Sequence, residues 1–394
     1  MGNKYCAHWL MDAGCAAMDA ASQDEAILWL RLVRSEAIGP IACSRLLQTH
    51  GSVAAVLKEL QRQPMADGRR RRVPSPGEAQ QELAALTALG GRLLVGASPS
   101  YPDLLRGLPD APPALSMRGA VELLHGPAVA IVGARNASAH GCVLARRLAQ
   151  ELTAAGMVVV SGLARGIDTA AHEGALAAGG GTVAVIATGL DIAYPPENAA
   201  LMAEVAAQGT VVSERPPGAV ARAKDFPRRN RVIAGLSLGV VVVEAAPASG
   251  SLITARLALD YGREVMAVPG SPMDPRHRGT NQLLRDGAHL IENAADVLAV
   301  LGPMAQHRRA PPPRAERIAD PGPRPKAGPK PAAGAWATLS DRVLAALGPT
   351  PLAVDELIRE CDAAAPEMQA ALLELELAGR IDRQPGNRVC LRAG

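Results

Sequence analysis

From Ala128 to about Val300 the chain alternates between short runs of Val, Ile and Ala and longer amphipathic stretches. Seven runs read as strands: Val129 to Val132, Met157 to Val160, Thr182 to Ala187, Thr210 to Val212, Val240 to Val243, Glu264 to Val268 and His289 to Ile291. They lack the apolar/polar alternation of a half-exposed strand, so both faces should be buried. With helical crossovers between them, the pattern predicts an α/β domain with a doubly wound, mainly parallel sheet. Such sheets hold ligands at the carboxyl ends of their strands, so the loops there are the places to search for chemistry.

The flanks read differently. Residues 1–20 show no amphipathic period and are set aside as a tail, with Met18 as an alternative start. Residues 21–90 are predicted to be a small all-α domain. Its helical patterns carry Ile27, Leu28, Leu30, Leu32 and Val33, then Ile41, Leu46 and Leu47, then Val53, Val56 and Leu57. Ile38-Gly39-Pro40-Ile41 between the first two suits a helix-hairpin-helix turn, which can meet DNA phosphates or simply join two packed helices. The basic stretch Gly68 to Gly77, with Arg69 to Arg72, reads as an exposed connector. The α/β domain is expected over 91–301, entered through Tyr101-Pro102 and Ala111-Pro112-Pro113.

Residues 302–335 form a Pro/Arg-rich stretch; Gly302 to Gly334 holds nine prolines, with seven cations against two acids, and is predicted to be an extended, mobile linker. In 336–394, three helical patterns (Leu339 to Leu347, Val354 to Ile358, Met368 to Leu377) precede a short hairpin, which spells a winged helix. Its third helix carries Glu367, Glu374 and Glu376 and no Arg or Lys, a poor fit to a major-groove reader. This domain therefore reads as a protein-interaction or weak DNA-binding module.

Composition narrows the function. Of 394 residues, 48% are apolar and 20% charged, enough for a large core. No membrane span is expected, because no run reaches about 18 apolar residues. Lys4, His8, Asp12 and Asp19 interrupt any signal-peptide block. The six cysteines form no C-x-x-C pair and no zinc-type cluster, which predicts a reducing cytoplasm and no metal. A net charge of +3 is too small to draw polyanions by itself, so cations must cluster locally. Aromatics make up only 2%, with Phe226 the single phenylalanine, which disfavours a platform stacking several bases.

Cations and small residues do cluster at the strand ends. After the first run, Gly133 to Ser138 permits a tight turn into a helix with Ser138 as N-cap, and Arg135 stands above the helix amides as a phosphate site. This is no G-x-G-x-x-G fingerprint, and the chain has no G-x-x-x-x-G-K-[ST] loop. ATP hydrolysis by that loop is excluded and a nicotinamide cofactor is not expected. After the second run, Gly162 and Gly166 flank Arg165; Asp168 and His172 follow, either as a helix cap and a satisfied imidazole or as a catalytic pair. Arg222 to Arg231 is the densest charge feature, five cations against one acid around Phe226, as one stacked base with adjacent phosphates would require. Ser249 and Ser251 open another helix, and Val268-Pro269-Gly270 with Gly279-Thr280-Asn281 adds further turns of this kind. One small ligand would use one or two such turns, whereas a polyanionic chain can use the row.

Six motifs occur in order: V-G-A-R-x-x-S, S-G-L-A-R-G-I-D-x-x-A-H, G-L-D-x-x-Y-P-P (189–196), S-E-x-P-P-G (213–218), F-P-x-R-N-R (226–231) and S-G-S-L-I-T-A (249–255). Together, over about Tyr101 to Val300, they make the chain similar to the DNA-processing protein A family (DprA, also called Smf). The resemblance implies a Rossmann-like core that dimerises, behind a small sterile-alpha-motif-like helical domain. It implies binding of incoming single-stranded DNA in natural transformation and loading of the RecA recombinase, with no catalysis and no cofactor. Transferred by motif, Arg135, Arg165, Lys224, Arg228, Asn230 and Arg231 meet phosphates and Phe226 stacks on a base. Gly133, Ser161, Gly162, Ser249 and Gly250 give the strand close access to the backbone. Ala134 departs from the Ser or Thr frequent in the family. An alternative from another class is a hydrolase releasing bases from nucleotide monophosphates on a related Rossmann-like fold, with Glu214 and Glu244 as acid and base. Against it, the P-G-G-x-G-T loop is absent.

Overall fold

A computed structural model describes residues 23–309, 339–347, 352–361, 363–378, 380–384 and 388–391. The expected tail and most of the expected linker lie outside these residues. The described residues fall into two compact units, one on each side of the linker segment.

The first unit begins with four helices: α1 (Gln23–Val33), α2 (Pro40–His50), α3 (Val53–Arg62) and α4 (Pro76–Ala88). Their starts are set locally. Pro40 occupies the first turn of α2, the Ser52 hydroxyl accepts from the Ala55 amide at the head of α3, and Ser75 with Glu78 forms a capping box on α4. Trp29, Leu32, Cys43, Leu47, Val56 and Leu57 pack into one apolar cluster that also takes in Val95 and Ala114. The basic connector is tethered: Arg69 pairs with Asp67 and Glu36, and Arg72 with Glu78.

The α/β part follows as β1 (Arg92–Val95), α5 (Asp103–Arg106), β2 (Ala114–Gly119), β3 (Ala128–Val132), α6 (Ala139–Ala154), β4 (Val158–Ser161), α7 (Ile167–Ala177), β5 (Thr182–Ile186) and α8 (Ala199–Gln208). It continues with β6 (Thr210–Ser213), α9 (Asp225–Leu236), β7 (Gly239–Val242), α10 (Gly250–Asp260), β8 (Glu264–Ala267), α11 (Arg278–Arg285), β9 (His289–Leu290) and α12 (Ala294–Arg309). The nine strands form one sheet in the order β1-β2-β6-β5-β4-β3-β7-β8-β9. All pairings from β6 to β9 are parallel, while β1–β2 and β2–β6 are antiparallel. All seven strands read from the sequence are present. The edge pair β1 and β2 lies where the sequence shows no continuous β-branched run.

Burial on both faces follows from the alternation of side chains along each strand. Ala128, Ala130 and Val132 of β3 join a cluster with Val232, Ile233 and Leu236 of α9 and Ala255 and Ala258 of α10. Val129 and Ile131 join the opposite cluster, with Leu148 and Leu152 of α6, Ile167 and Ala171 of α7, and Val297 and Leu301 of α12. This is the doubly wound, Rossmann-like arrangement expected.

One expectation needs correcting. Residues 302–309, read as the start of an extended linker, continue α12, with Pro303 inside the helix. Ala294, Val297, Leu301 and Ala305 recur at helical spacing and are all buried. Their burial outweighs the roughly 3 kcal/mol cost of an interior proline.

The second unit contains α13 (Leu339–Ala346), β10 (Leu352–Ala353), α14 (Val354–Glu360), α15 (Ala365–Leu377), β11 (Ile381–Gln384) and β12 (Arg388–Leu391). Its strands pair antiparallel in the order β10-β12-β11. Val343, Leu357, Met368, Leu372, Leu375, Ile381 and Val389 form its own core. This is the winged helix read from the sequence, with β10 as an unforeseen third strand. Among the described residues no helix is long and apolar enough to cross a membrane.

Candidate nucleic-acid interface

The sheet's strand order reverses at β3, which has β4 on one side and β7 on the other. Loops leaving two such strands diverge and open a crevice at their carboxyl ends. Here it is a cleft of about 510 Å³, lined by Gly133, Ala134 and Arg135 after β3, Phe226 and Asn230 of α9, and Ser249 and Gly250 before and at the start of α10. The Arg135 guanidinium sits 4.8 Å from the centre of the Phe226 ring, a cation–π contact on an exposed surface. Tyr194 lies 5.2 Å from the same ring at an interplanar angle of 50° and is itself exposed. Phe226 is therefore one member of a surface cluster of two aromatic rings and a cation.

The predicted cations divide into two groups. Arg135, Lys224 and Arg228 are exposed, and among the described residues none of them has an ion pair. Arg165 is also exposed but pairs with Glu197, a contact that an incoming phosphate would have to displace. Arg231 points away from the cleft and engages Glu214 and the Asp110 carbonyl, so it does not take the phosphate role expected of it. Asn230 is buried: its Nδ2 donates to the Gly250 carbonyl at 3.2 Å, and its Oδ1 accepts from Arg229 Nε at 3.2 Å. It fixes the Ser249-Gly250 turn from beneath and offers the strand little surface.

The backbone positions divide in the same way. Ser138 caps α6 by accepting from the Gly141 amide, while its own amide donates to Glu244 Oε2 at 2.9 Å and its hydroxyl donates to the same carboxylate. The α6 N-terminus, expected to cradle a phosphate, is thus already occupied by a buried carboxylate from the end of β7. At α10, by contrast, Gly250 is exposed with open space beside it. Ser249 at the cap makes its side-chain contacts with Ser251. Ser161 is fully buried, its hydroxyl donating to the Ile131 carbonyl at 2.7 Å. Gly162 is buried as well, and a Cβ there would strike the Arg229 guanidinium. Gly133 lies against Ile167. Ser161 and Gly162 lie beneath the cleft and do not line it, whereas Gly133 does. The loop after β4 turns outward through Leu163 at φ 55° and Gly166 at φ 73°, which leaves Leu163 buried and Arg165 exposed.

Beneath the cleft, Arg229 is buried and donates to the Gly162 and Val185 carbonyls. Burial pulls its guanidinium down to about 10 while Asp168 opposes the shift, so it stays charged at neutral pH. Burial lifts the Asp168 carboxyl, opposed by Arg229, and its Oδ2 accepts from the Ala164 amide at 3.4 Å. His172 Nδ1 lies 2.7 Å from Thr182 Oγ1, whose own proton goes to the Val159 carbonyl, so the imidazole donates there. Burial first, and the Arg229 charge second, press its pKa down to about 3. Asp168 does not cap α7, whose N-cap Gly166 has no side-chain bond, and instead holds the preceding loop; His172 is fully buried and bonded at Nδ1, while its Nε2 has no hydrogen-bond partner among the described residues. Glu214 is paired with Arg231 and its carboxyl is lifted by burial, whereas Glu244 is consumed by Ser138. Neither carboxylate lines the cleft, and each is held by its own partner.

The family model for DNA recombination-mediator protein A matches residues 92–302, more than half of the chain and all of the cleft. The chain belongs to this family. The DprA-like N-terminal HHH domain matches residues 23–85, and the DprA winged helix domain matches 327–387. Protein Smf of Escherichia coli is 38% identical over 320 residues, covering 79% of this chain and 81% of its own length. Protein Smf of Synechocystis is 36% identical over 311 residues, with 74% and 77% covered. The X-ray structure of DNA processing protein A from Streptococcus pneumoniae matches with a TM-score of 0.60 at 33% identity, over 71% of this chain and 98% of that chain.

In this DNA recombination-mediator protein A family member, two residues beside the cleft, Tyr194 and Glu197, give little sign in the sequence of their place. Tyr194 stands beside two prolines at a strand end, a hint that the loop holds an aromatic outward. Glu197, three residues on, gives no local sign of its pairing with Arg165, 32 positions away in sequence.

Proposed function

We propose that this protein is a single-stranded DNA-binding recombination mediator. It holds incoming strands during natural transformation and hands them to the RecA recombinase, acting as a homodimer in the cytoplasm and catalysing no step of its own. The observation that carries the reading is the exposed Arg135 on the Phe226 ring beside Tyr194 at the switch point of the sheet, with the exposed cations Lys224 and Arg228 close by in the chain at the start of α9. Its chemistry is that of a strand binder: cations for phosphates, two rings for a flipped-out base, and no partner set that would read base edges. Membership of the DNA recombination-mediator protein A family supports it further. Phosphate contacts come from Arg135, Lys224 and Arg228, with Arg165 joining after Glu197 releases it; Ser249 and Gly250 supply backbone approach. In the winged helix, the outward side of α15 bears Glu367, Glu374 and Glu376, which suits a protein partner better than DNA.

The loading step is tested by following RecA filament assembly on an oligonucleotide already coated with single-strand-binding protein. Addition of this protein accelerates assembly. No acceleration, by preparations that do bind the bare oligonucleotide, would remove loading from the assignment and leave strand binding.

A further inference from the structure

A second cavity, of about 500 Å³, lies where the α1–α2 turn meets the carboxyl ends of β5 and β6. It falls within the roughly 300–1,000 Å³ range of small-molecule sites. One wall is apolar, with Ile38, Pro40, Pro113 and Leu115 among its residues. The rest is strongly cationic: Arg34, Arg215, Arg228, Arg229 and Arg231 line it, against only Glu214 and Asp225.

Three of these arginines are committed to the protein. Arg34 forks onto Glu82 and donates to the Glu214 carbonyl, Arg231 engages Glu214 and the Asp110 carbonyl, and Arg229 is held from below. Arg215 and Arg228 are not. Arg215 approaches Asp225 only at 4.0 Å, and among the described residues its buried Nε has no hydrogen-bond partner. Arg228 has no ion pair among the described residues. A buried donor without a partner, in a cavity with excess positive charge, calls for an anion. Gly39, at the N-cap of α2, also lines the cavity; it supplies no side-chain cap and has open space around it.

We propose that this second cavity binds a phosphate-bearing nucleotide, with Arg215 and Arg228 on the phosphate and the Ile38, Pro40 and Pro113 wall against the base. The nucleotide is either free or the phosphorylated end of a strand. Arg229 lines both cavities, so the second site adjoins the cleft. The strand-end form rests on the reading of the cleft as a DNA groove; the free-nucleotide form does not.

Calorimetric titration of the full chain with thymidine 5′-monophosphate, with thymidine and with inorganic phosphate tests the site. The monophosphate binds, and thymidine does not bind at the same concentrations. Gly39→Asp places a carboxylate in the cavity and at the same time supplies α2 with an N-cap, so it keeps the melting temperature while weakening the nucleotide at least about tenfold. Arg215→Gln has the same effect on binding. Arg135→Ala with Lys224→Ala, which removes two of the exposed cations proposed to meet the strand, leaves monophosphate binding unchanged even though oligonucleotide binding falls about tenfold. The inference is overturned if the monophosphate fails to bind at about 1 mM. It is equally overturned if both single variants bind normally, or if the cleft variant loses the nucleotide as fully as Gly39→Asp. A hexanucleotide with and without a 5′-phosphate separates the sources: tighter binding of the phosphorylated form assigns the site to strand ends, and equal binding assigns it to free nucleotides.

Discussion

The outer and inner residues of α9 use the same side-chain chemistry for opposite ends. Lys224, at its N-cap, and Arg228 project into solvent, whereas Arg229, one residue further on, is buried and tied to the Gly162 and Val185 carbonyls. Adjacent residues on a helix point about 100° apart, and α9 passes from surface to core within its second turn. A basic run is therefore not one feature. Its outer members are exposed and unpaired among the described residues, which is what the proposed strand contact needs, and its inner members hold the loops beneath.

Breaking the inner set has the largest effect. Arg229→Ala leaves the Gly162 and Val185 carbonyls without their donor and buried Asp168 without the charge that opposes its burial, and it costs about 3–5 kcal/mol of stability, read as a large fall in melting temperature. A fall no greater than that of an outer-residue variant would show that the inner arginine is not structural. His172 belongs to the same layer and gives it a pH signature. Its folded pKa of about 3 lies below the usual 6.5, so the unfolded chain takes up the proton first. Stability is full above about pH 6.5 and falls as pH drops towards 3, by at most about 1.4 kcal/mol per pH unit. In His172→Gln that slope is reduced, while Asp168 and Glu214 titrate in both proteins and cancel in the difference. Equal slopes in denaturant titrations at pH 6.5 and 5 would contradict the assignment.

Breaking the outer set spares the fold. Arg135→Ala with Lys224→Ala weakens single-strand binding about tenfold, the equivalent of about 1.4 kcal/mol, with an unchanged melting temperature. Unchanged binding would remove the groove. Glu197→Gln should give the smallest effect. It frees Arg165 from a surface ion pair worth about 0–1 kcal/mol and tightens strand binding by a few-fold at most. Weaker binding would mean that Glu197 positions Arg165 and does not compete for it.

The same comparison explains what the sequence could disclose. The strands β3 to β9 were legible because burial on both faces leaves continuous Val and Ile runs. β1 and β2 were not, since Arg92 and Arg118 sit in short segments at a sheet edge. Arg135, Lys224 and Arg228 were legible as cations at strand ends, but the helix phase that turns Arg229 inward and commits Arg231 to Glu214 is a tertiary fact. The α6 N-terminus misled for a related reason: the carboxylate that occupies it, Glu244, comes from 106 residues away. In α12 the proline count concealed a buried period of Ala294, Val297, Leu301 and Ala305.

The central claim is that exposed cations around Phe226 form a strand-binding groove. Fluorescence-anisotropy titration of the full chain with a labelled single-stranded oligonucleotide and its duplex, across a range of salt, tests it most directly. Four phosphate contacts, from Arg135, Arg165, Lys224 and Arg228, predict a log–log salt slope of about −3, at roughly −0.7 per contact, with preference for the single strand. Binding that is absent at low salt, or a slope near zero, would contradict the account.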